Sequence, residues 1–445
     1  MTAKRLTLAT PVLLWALASL HTQDRPITIR PRPQEEIILA VPDAQSARQE
    51  VSPQLAEAIR TFNQVLWEDL KFSGHFTLAG KSFYPPRPVG KLEDINYEAW
   101  DSLPFKVSFM TAGTLDLVGG VLRAEPYVVD MKQRTRVIGQ RLSGGPEQAR
   151  QIAHRWADEI VYRLTAGQSK GIASTRIAYT SRHGAAKEIY VMDYDGFDQR
   201  AFTRNGSTNL FPRWAPDNSK ITFVSARTGK WEINIHSILD GSRLPFPMFN
   251  SFASNPSISP DGTQLVFSLR TSRGDTDVFV SRLDGSNRQN ITNNPAIDTS
   301  PTWSPSGRQI AFVSSREGAG GQIHICDSDG ANVRRIVKEG GIADMPAWSP
   351  DGRWIAFHWM PRQAENFDIY VAEVSSGRIY QLTSDSGSNE SPSWAPDSRH
   401  LTFQSNRDGS SQIYIMLADG AELRKITSQG SNTSPSWGGY YVSRE

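Results

Sequence analysis

Five residues in the first half of the chain, Gly167-Gln168-Ser169-Lys170-Gly171, match the pattern G-x-S-x-G of a nucleophilic serine. That pattern supports hydrolysis only where a strand leads into a sharp turn and a helix follows, because this geometry exposes the hydroxyl. Here a helical pattern ends before Gly167 and a strand pattern begins after Gly171. The order of elements is reversed, so the sequence argues against a serine hydrolase site at Ser169.

Two other groups of residues have types that could bind a metal ion. Turns such as Asp193-Tyr194-Asp195-Gly196 and Asp327-Ser328-Asp329-Gly330 resemble calcium loops, but an EF-hand loop needs a longer ladder of oxygen ligands and a closing glutamate. Asp-Gly between two strand patterns is instead typical of a hairpin. His324 and Cys326 share one face of a strand, without a second cluster of ligands in the sequence. We therefore predict no metal site, no cofactor and no catalytic residue.

The second half of the chain is organised by a repeat. A Pro-x-Trp triplet, with isoleucine replacing tryptophan in one copy, returns at intervals of 44, 45, 45, 46 and 43 residues. The six copies are Pro212-Arg213-Trp214, Pro256-Ser257-Ile258, Pro301-Thr302-Trp303, Pro346-Ala347-Trp348, Pro392-Ser393-Trp394 and Pro435-Ser436-Trp437. Units of this length that contain four short strand patterns are typical of β-propeller blades. Because Ile258 can replace tryptophan, we expect this position to pack between blades rather than to bind a ligand.

The two ends of the repeat predict how the ring closes. The first unit begins at its second strand, Arg176-Ile177-Ala178-Tyr179, and has no triplet of its own, whereas the last unit ends just after Trp437. The C-terminal strand therefore supplies the missing strand of the first blade. We predict a β-propeller of six four-stranded blades closed in this way, which removes the open sheet edges of an unclosed array.

The residues before the propeller divide into three further parts. We assign a signal peptide to 1–18, an extended segment to 19–35, a smaller α/β domain to 36–172 and the propeller to 173–445. The first part has the basic pair Lys4-Arg5, an uncharged stretch and the sequence Ala16-Leu17-Ala18, so we expect cleavage within a few residues of Ala18. The proline-rich second part is either a disordered leader or a docking segment. The third part shows two amphipathic helix patterns around several strand patterns.

Charge and composition exclude several kinds of partner and linkage. The chain has 48 Lys and Arg against 46 Asp and Glu, without a basic run longer than two residues, so it lacks the concentrated positive face that nucleic acid requires. Its single cysteine, Cys326, excludes an intramolecular disulfide and a cysteine-based zinc site. Beyond the signal, the sequence has no apolar run long enough to span a bilayer. We predict an exported, soluble monomer without stable membrane insertion.

One ring face of such a propeller is the better candidate for binding. The loops from each fourth strand to the next first strand share that face with the hairpins between second and third strands. The loops are polar, as in Asn293–Ser300 and Ser428–Ser434, and the hairpins vary most between units, as in Arg270–Asp277 and Trp359–Phe367. Repeat proteins place variable segments on the binding face. A face that is only solvated is the alternative, but we favour a surface that binds a partner.

The entry into the propeller carries a family resemblance. The segment from Ala153-His154-Arg155-Trp156 through Leu164-Thr165 to Thr175-Arg176-Ile177-Ala178-Tyr179 resembles the TolB family of the Tol-Pal system, in which a helix ends in Leu-Thr-Gly and the chain enters the propeller through Thr-Arg-Ile-Ala-Tyr. The chain departs from this pattern by Ala166, inserted before Gly167, and by Tyr440 to Glu445 beyond the family's usual end. The resemblance covers essentially everything after the signal peptide.

The resemblance implies a function and a set of binding residues. The function would be that of a periplasmic, non-enzymatic scaffold that links the lipoprotein Pal at the outer membrane to TolA of the inner membrane and supports outer-membrane integrity and constriction at cell division. The Pal-binding positions of the family match Phe252, where the family commonly has histidine, together with Asn255 and Thr299. The TolA-binding region matches Asp24, Arg25, Ile27 and Ile29. Alternatives from other classes are an exported hydrolase or lyase with a propeller domain, and a carbohydrate-binding propeller.

Overall fold

The N-terminal domain is built from amphipathic helices packed on a mixed sheet. The computed structural model describes residues 36–249, 251–318 and 320–440, so the predicted signal peptide and docking segment, with Asp24, Arg25, Ile27 and Ile29, lie outside the described residues. The helices are α1 (Pro53–Phe72), α2 (Tyr97–Asp101) and α3 (Ala149–Leu164), with single 3₁₀ turns at Lys81–Phe83, Leu92–Asp94 and Pro146–Gln148. The strands are β1 (Ile38–Ala40), β2 (Gln45–Ser46), β3 (Thr77–Leu78), β4 (Phe109–Val118), β5 (Val121–Asp130), β6 (Thr135–Gly139) and β7 (Leu142–Gly144).

Local sequence chemistry accounts for these elements. Ser52 caps α1 by accepting a hydrogen bond from the Leu55 amide at 3.2 Å, and Pro53 occupies the first helical position, where its missing N–H costs nothing. Strand β1 runs parallel to β3 and β4, while β4 and β5 form a long hairpin. Gly119 and Gly120 provide the positive φ that this hairpin turn needs. The helices α1 and α3 bury Phe62 and Trp156 in a core shared with the sheet.

Six antiparallel four-stranded sheets follow, and they confirm the predicted propeller. The blades, given as their strands in chain order, are blade 1 with β8 (Thr175–His183), β9 (Ala186–Asp193), β10 (Arg200–Ala201) and the final strand β31 (Ser431–Tyr440); blade 2 with β11 (Asn209–Trp214), β12 (Lys220–Ser225), β13 (Glu232–Ser237) and β14 (Arg243–Leu244); blade 3 with β15 (Ala253–Ile258), β16 (Gln264–Arg270), β17 (Thr276–Arg282) and β18 (Gln289–Asn290); blade 4 with β19 (Asp298–Trp303), β20 (Gln309–Ser314), β21 (Gln322–Asp327) and β22 (Arg334–Arg335); blade 5 with β23 (Gly341–Trp348), β24 (Trp354–Pro361), β25 (Asp368–Glu373) and β26 (Ile379–Gln381); and blade 6 with β27 (Asn389–Trp394), β28 (His400–Ser405), β29 (Gln412–Leu417) and β30 (Arg424–Lys425).

The C-terminal strand closes the ring, as the sequence predicts. Strand β31 pairs antiparallel with β8, so it is the inner strand of blade 1. Asn432 ties this strand to both neighbours: its amide oxygen accepts a hydrogen bond from the Ser181 hydroxyl at 2.6 Å, and its amide nitrogen donates to Gln412 at 2.9 Å. Tyr440, where the chain departs from the family pattern described above, donates a hydrogen bond from its hydroxyl to the Gly171 carbonyl at 2.8 Å. The closing strand therefore also holds the segment that links the two domains.

The tryptophans of the repeat pack between blades. The indole N–H of Trp303 donates to the Ser257 carbonyl of blade 3 at 3.2 Å, and that of Trp394 donates to the Ala347 carbonyl of blade 5 at 3.1 Å. Each side chain thus reaches the inner strand of the preceding blade. Trp437 instead donates to the Thr175 hydroxyl at 2.8 Å within the closed blade 1.

The residues whose types could support catalysis or metal binding have structural roles instead. The carboxylates of Asp240, Asp284 and Asp329 each accept the backbone N–H two residues further on, so the acidic turns are hydrogen-bonded hairpins. Ser169 lies between α3 and β8, where its hydroxyl accepts the Gly171 amide at 3.1 Å. Burial raises the pKa of the Cys326 thiol to about 12, which keeps it protonated. In the described part of the chain, groups of three or more His, Cys, Asp or Glu placed to hold a metal ion are absent.

The two domains meet at a buried polar junction between blades 1 and 6 of the propeller and helices α1 and α3. The Tyr194 hydroxyl, from the turn after β9, donates to Asp69 of α1 at 2.5 Å, and His154 of α3 contacts the other oxygen of this carboxylate at 2.7 Å. His400 lies 2.7 Å from Asp397 through Nδ1 and 2.7 Å from the Phe72 carbonyl through Nε2. His400 therefore links the turn of blade 6 that contains Asp397 to the end of α1.

The junction also makes His154 a charged group. Burial alone would lower the pKa of His154, but the charge of Asp69 and its hydrogen bond, helped by Asp195, outweigh burial and raise the pKa to about 9. Arg150, which pairs with Asp195, opposes this rise.

Among the described residues, no helix combines the length and apolar character needed to cross a bilayer.

Substituting the closing tryptophan should cost more stability than substituting a tryptophan elsewhere in the repeat. Trp437 is 6% exposed and hydrogen-bonded, so we expect Trp437→Ala to lower the free energy of unfolding by about 3–5 kcal/mol. Trp348 is half-buried and its indole N–H has no hydrogen-bond partner among the described residues, so Trp348→Ala should cost about 1–2 kcal/mol. Denaturant titration of both variants measures the difference, and equal losses would contradict the role of Trp437 in ring closure.

Stability should also decrease at alkaline pH because of His154. Its pKa in the folded protein, about 9, lies above the ordinary value of 6.5, so the folded state binds the proton more tightly. The resulting stabilisation is complete below about pH 6.5 and is lost as pH rises through about 9. We expect wild-type protein to lose about 3 kcal/mol more than His154→Gln across this window. Urea titrations at both ends of the window test this, and parallel pH profiles would refute it.

Candidate partner-binding face

The two faces of the ring differ in what covers them. The face that carries the turns after each first and third strand receives the α/β domain, through contacts such as Arg399 to the Gly74 carbonyl at 2.7 Å and Arg424 to Glu68 at 3.1 Å. The other face carries the hairpins between second and third strands and the loops that lead into the next blade. We call it the open face, because the α/β domain packs against the opposite side. It is the face that the sequence favours for binding.

Around the axis of the propeller, each inner strand contains a bulge at a residue with positive φ. These six residues form what we call the axial ring, and they are Phe211, Asn255, Ser300, Met345, Ser391 and Ser434, with φ between 51° and 55°. Each directly precedes the proline of a repeat triplet, where the strand pairing shifts register. The amide nitrogen of Asn255 in blade 3 lies 3.5 Å from the sulfur of Met345 in blade 5. The bulges therefore turn side chains from separate blades toward a common centre.

The surroundings of the axial ring are polar and acidic. The Ser300 hydroxyl donates to Asp344 at 2.7 Å, and Gln404 donates to Glu390 at 3.2 Å. Burial raises the pKa of Glu390, and the nearby charge of Asp344 adds to this shift. His358 accepts the Ser391 amide at 3.1 Å, and burial lowers its pKa to about 4, so it is neutral near pH 7. A partner's cationic or hydrogen-bonding groups suit this centre better than its carboxylates do.

Three exposed apolar residues lie at equivalent positions of three consecutive blades on the open face. Phe252, Ile297 and Ile342 stand four residues before the proline of their triplets, and they are 43%, 57% and 40% exposed. We call these three residues the apolar arc. Phe252 is supported from the side by Trp231, whose ring meets it edge-on at a centroid distance of 5.7 Å. The other three blades carry polar residues at this position, namely Thr208, Ser388 and Ser431.

The structure places the three residues expected to bind Pal on the open face of blades 3 and 4, at different depths. Phe252 is exposed on the apolar arc, and Asn255 is mostly buried in the axial ring. Thr299 is half-buried on β19, one residue before the axial-ring member Ser300. They therefore define a path from the rim of the face to its centre, and their role in binding stays a prediction.

Sequence reasoning missed several residues of this face. Ile297 and Ile342 were not singled out, although each lies four residues before a triplet proline, as Phe252 does. Met345 and Asp344, which meet Asn255 and Ser300 near the axis, were missed as well. A comparison of all six units at fixed distances before the proline would have found them.

Comparison with known proteins agrees with the fold. The family described as the TolB beta propeller domain matches residues 162–360 and 336–440. The chain belongs to this family. Two similar proteins are the Tol-Pal system protein TolB of Desulfosudis oleivorans, 31% identical over 280 residues, and that of Anaeromyxobacter dehalogenans, 33% identical over 183 residues. These alignments cover 62% and 41% of this chain, and the same shares of the two relatives.

A solved structure extends the similarity of fold to both domains. The crystal structure of TolB from Acinetobacter baumannii superposes with a TM-score of 0.76, covering 92% of this chain and 98% of that one, at 22% sequence identity. At that identity the superposition establishes the fold alone. Since the alignment with the Desulfosudis oleivorans protein spans 62% of its length, partners and activity do not follow from that similarity.

The left-handed backbone of the axial ring should make its members sensitive to side-chain shape. At Ser300, with φ of 51°, a β-branched residue is strained, whereas glycine is not. Both Ser300→Ile and Ser300→Gly remove the hydrogen bond to Asp344. We therefore expect Ser300→Ile to be less stable than Ser300→Gly by about 1–2 kcal/mol, the cost of a left-handed residue with a Cβ. Denaturant titration of this matched pair measures the strain, and equal stability would show that it is absent.

Proposed function

We propose that the protein is a periplasmic, non-catalytic scaffold of the Tol-Pal system, which binds the lipoprotein Pal through the open face and TolA through the segment 19–35. It would link the outer membrane to the inner-membrane Tol proteins and so support outer-membrane integrity and constriction during cell division. Membership of the TolB propeller family and the similarity to proteins named for the Tol-Pal system support this proposal.

The apolar arc is the observation that carries the proposal. Large apolar side chains that are exposed together on one face of a soluble protein often mark a surface that a partner covers. Here Phe252, Ile297 and Ile342 are exposed at equivalent positions of adjacent blades, while the remaining blades are polar there. An apolar row next to a polar centre matches the anatomy of a protein interface, in which aromatic and aliphatic anchors lie beside hydrogen-bonding groups.

The chemistry of the described residues gives no comparable support to a hydrolase or lyase. Ser169 is engaged in a loop hydrogen bond, and Cys326 is held as a buried thiol. The conspicuous acidic turns use their carboxylates to fix hairpins. Binding, rather than bond cleavage, is the activity that this set of side chains favours.

Charged substitutions on the open face should weaken binding of Pal. We expect the double variant Phe252→Asp and Thr299→Arg to bind the soluble domain of Pal at least about tenfold more weakly than wild type, because an apolar anchor and its neighbour on the path to the axis become charged. Isothermal titration calorimetry with the mature protein measures this change. We also expect the single variant Ile342→Asp to bind Pal more weakly than wild type, because Ile342 belongs to the apolar arc.

The matched control for this experiment lies on the opposite face. Val333 is 39% exposed in the turn between β21 and β22, so Val333→Asp places the same charge on an apolar position away from the open face. Its affinity for Pal should equal that of wild type. Unchanged affinity of the Phe252/Thr299 double variant would refute the proposed face.

Deleting residues 19–33 should abolish binding of TolA, and retained binding would refute the assignment of that segment.

A further inference from the structure

A cleft opens at the outer part of blade 3, beside the apolar arc. It is a cleft of about 440 Å³ between the loop that follows β14, the hairpin between β16 and β17, and the outer strand β18. Its walls combine aromatic and basic side chains, chiefly Phe249, Phe279, Arg270, Arg273 and Arg288. A cavity of this size can hold one or two amino-acid side chains of another molecule.

The floor of the cleft is formed by Phe249 and Phe279, which both stack on the fully buried Phe267. Phe249 stacks on Phe267 at a centroid distance of 5.5 Å and an interplanar angle of 15°, and Phe267 stacks on Phe279 at 6.1 Å and 21°. The guanidinium of Arg288 lies over the two outer rings, 4.9 Å from Phe249 and 5.8 Å from Phe279. Stacking on rings uses the face of a guanidinium and leaves its in-plane N–H groups available to an acceptor.

The charges of the cleft are unevenly compensated. Arg273 is neutralised, because it donates to Asp275 at 2.9 Å and to Asp277 at 3.0 Å. By contrast, neither Arg270 nor Arg288 has a carboxylate partner within the described ranges 36–249, 251–318 and 320–440. Both of these side chains belong to exposed residues. Two arginines without counterions in one cleft make it a positive site on a chain whose overall charge is only +2.

We propose that this cleft binds a carboxylate carried by an acidic peptide segment of the protein that docks on the open face. Arginine and carboxylate pair through two parallel hydrogen bonds, and the phenylalanine floor provides apolar contact for the rest of the segment. Ser251 of the cleft directly precedes Phe252 of the apolar arc, so the two sites are neighbours on blade 3. The inference rests on the proposed function and adds to it the charge that the partner must present.

The position of the cleft gives it a role in orientation. The centre of the open face is acidic, with Asp344 and Glu390, whereas the cleft at the rim of blade 3 is basic. A partner with acidic residues on one side is therefore attracted to the rim and repelled from the axis. Complementary charges of this kind fix the register of a complex and speed its formation.

Charge reversal in the cleft tests the inference. We expect Arg288→Glu and Arg270→Glu to weaken binding of the soluble domain of Pal about tenfold each at low ionic strength, and less at high ionic strength, because the salt screens the lost attraction. Arg288→Lys keeps the charge but loses the planar fork, so its affinity should lie between those of wild type and Arg288→Glu. The matched control is Arg282→Glu, an exposed arginine at the opposite end of β17, which should bind as wild type does.

The outcomes separate this inference from the proposed function. If Phe252→Asp weakens binding while Arg288→Glu and Arg270→Glu do not, the cleft inference is wrong and the open face still binds Pal. If Phe252→Asp leaves binding unchanged, the proposed face fails, and the cleft inference fails with it. Glutarate, a free dicarboxylate, is the probe for a small ligand: if it binds wild type and not Arg288→Glu, while the variant keeps full affinity for Pal, the cleft is a small-anion site.

Discussion

The rest of the structure depends on a single strand pairing, that of β31 with β8. The propeller ring is closed by the hydrogen bonds of this pairing, because the last strand of the chain is the inner strand of the first blade. The ring of Trp437 on this strand lies beside the rings of Tyr194 and His400, with centroid distances of 6.5 Å and 6.3 Å. Both Tyr194 and His400 also form hydrogen bonds to the α/β domain. Ring closure and domain attachment therefore share the same side chains, and this fixes which face stays open.

The repeat divides structural and binding roles between neighbouring residues. In each triplet the third residue packs toward the preceding blade, as Trp303 and Trp394 do. The residue before the proline turns toward the axis, and the residue four positions before the proline reaches the open face. The packing position is almost uniform, with tryptophan in five copies and isoleucine in one, because a large apolar side chain is needed between neighbouring blades. The other two positions are free to vary, so differences between blades, such as the apolar arc, arise there.

Much of the fold was predictable because its determinants are local. The triplet spacing, the Asp-Gly turns and the missing strand of the first unit are read within one repeat, and they were enough for six blades and their closure. The candidate site was predictable only in part. Phe252 could be placed by register, but the arc appears only when adjacent blades stand side by side. The cleft was not predictable, because it depends on how Phe249 folds back onto Phe267, and no periodic pattern encodes that.

The arrangement also limits how the described α/β domain and the apolar arc could influence each other. The described α/β domain attaches through turns of blades 1 and 6, and the apolar arc lies on blades 3, 4 and 5, on the opposite face. A signal between them must therefore cross both the thickness and the width of the ring. Tryptophans pack closely between the blades, and those of blades 4 and 6 also form hydrogen bonds to the preceding blade, which favours movement of whole blades over local adjustment. Coupling through this fold would accordingly require the ring to have two discrete arrangements, since energetic communication needs an element whose equilibrium both sites can bias.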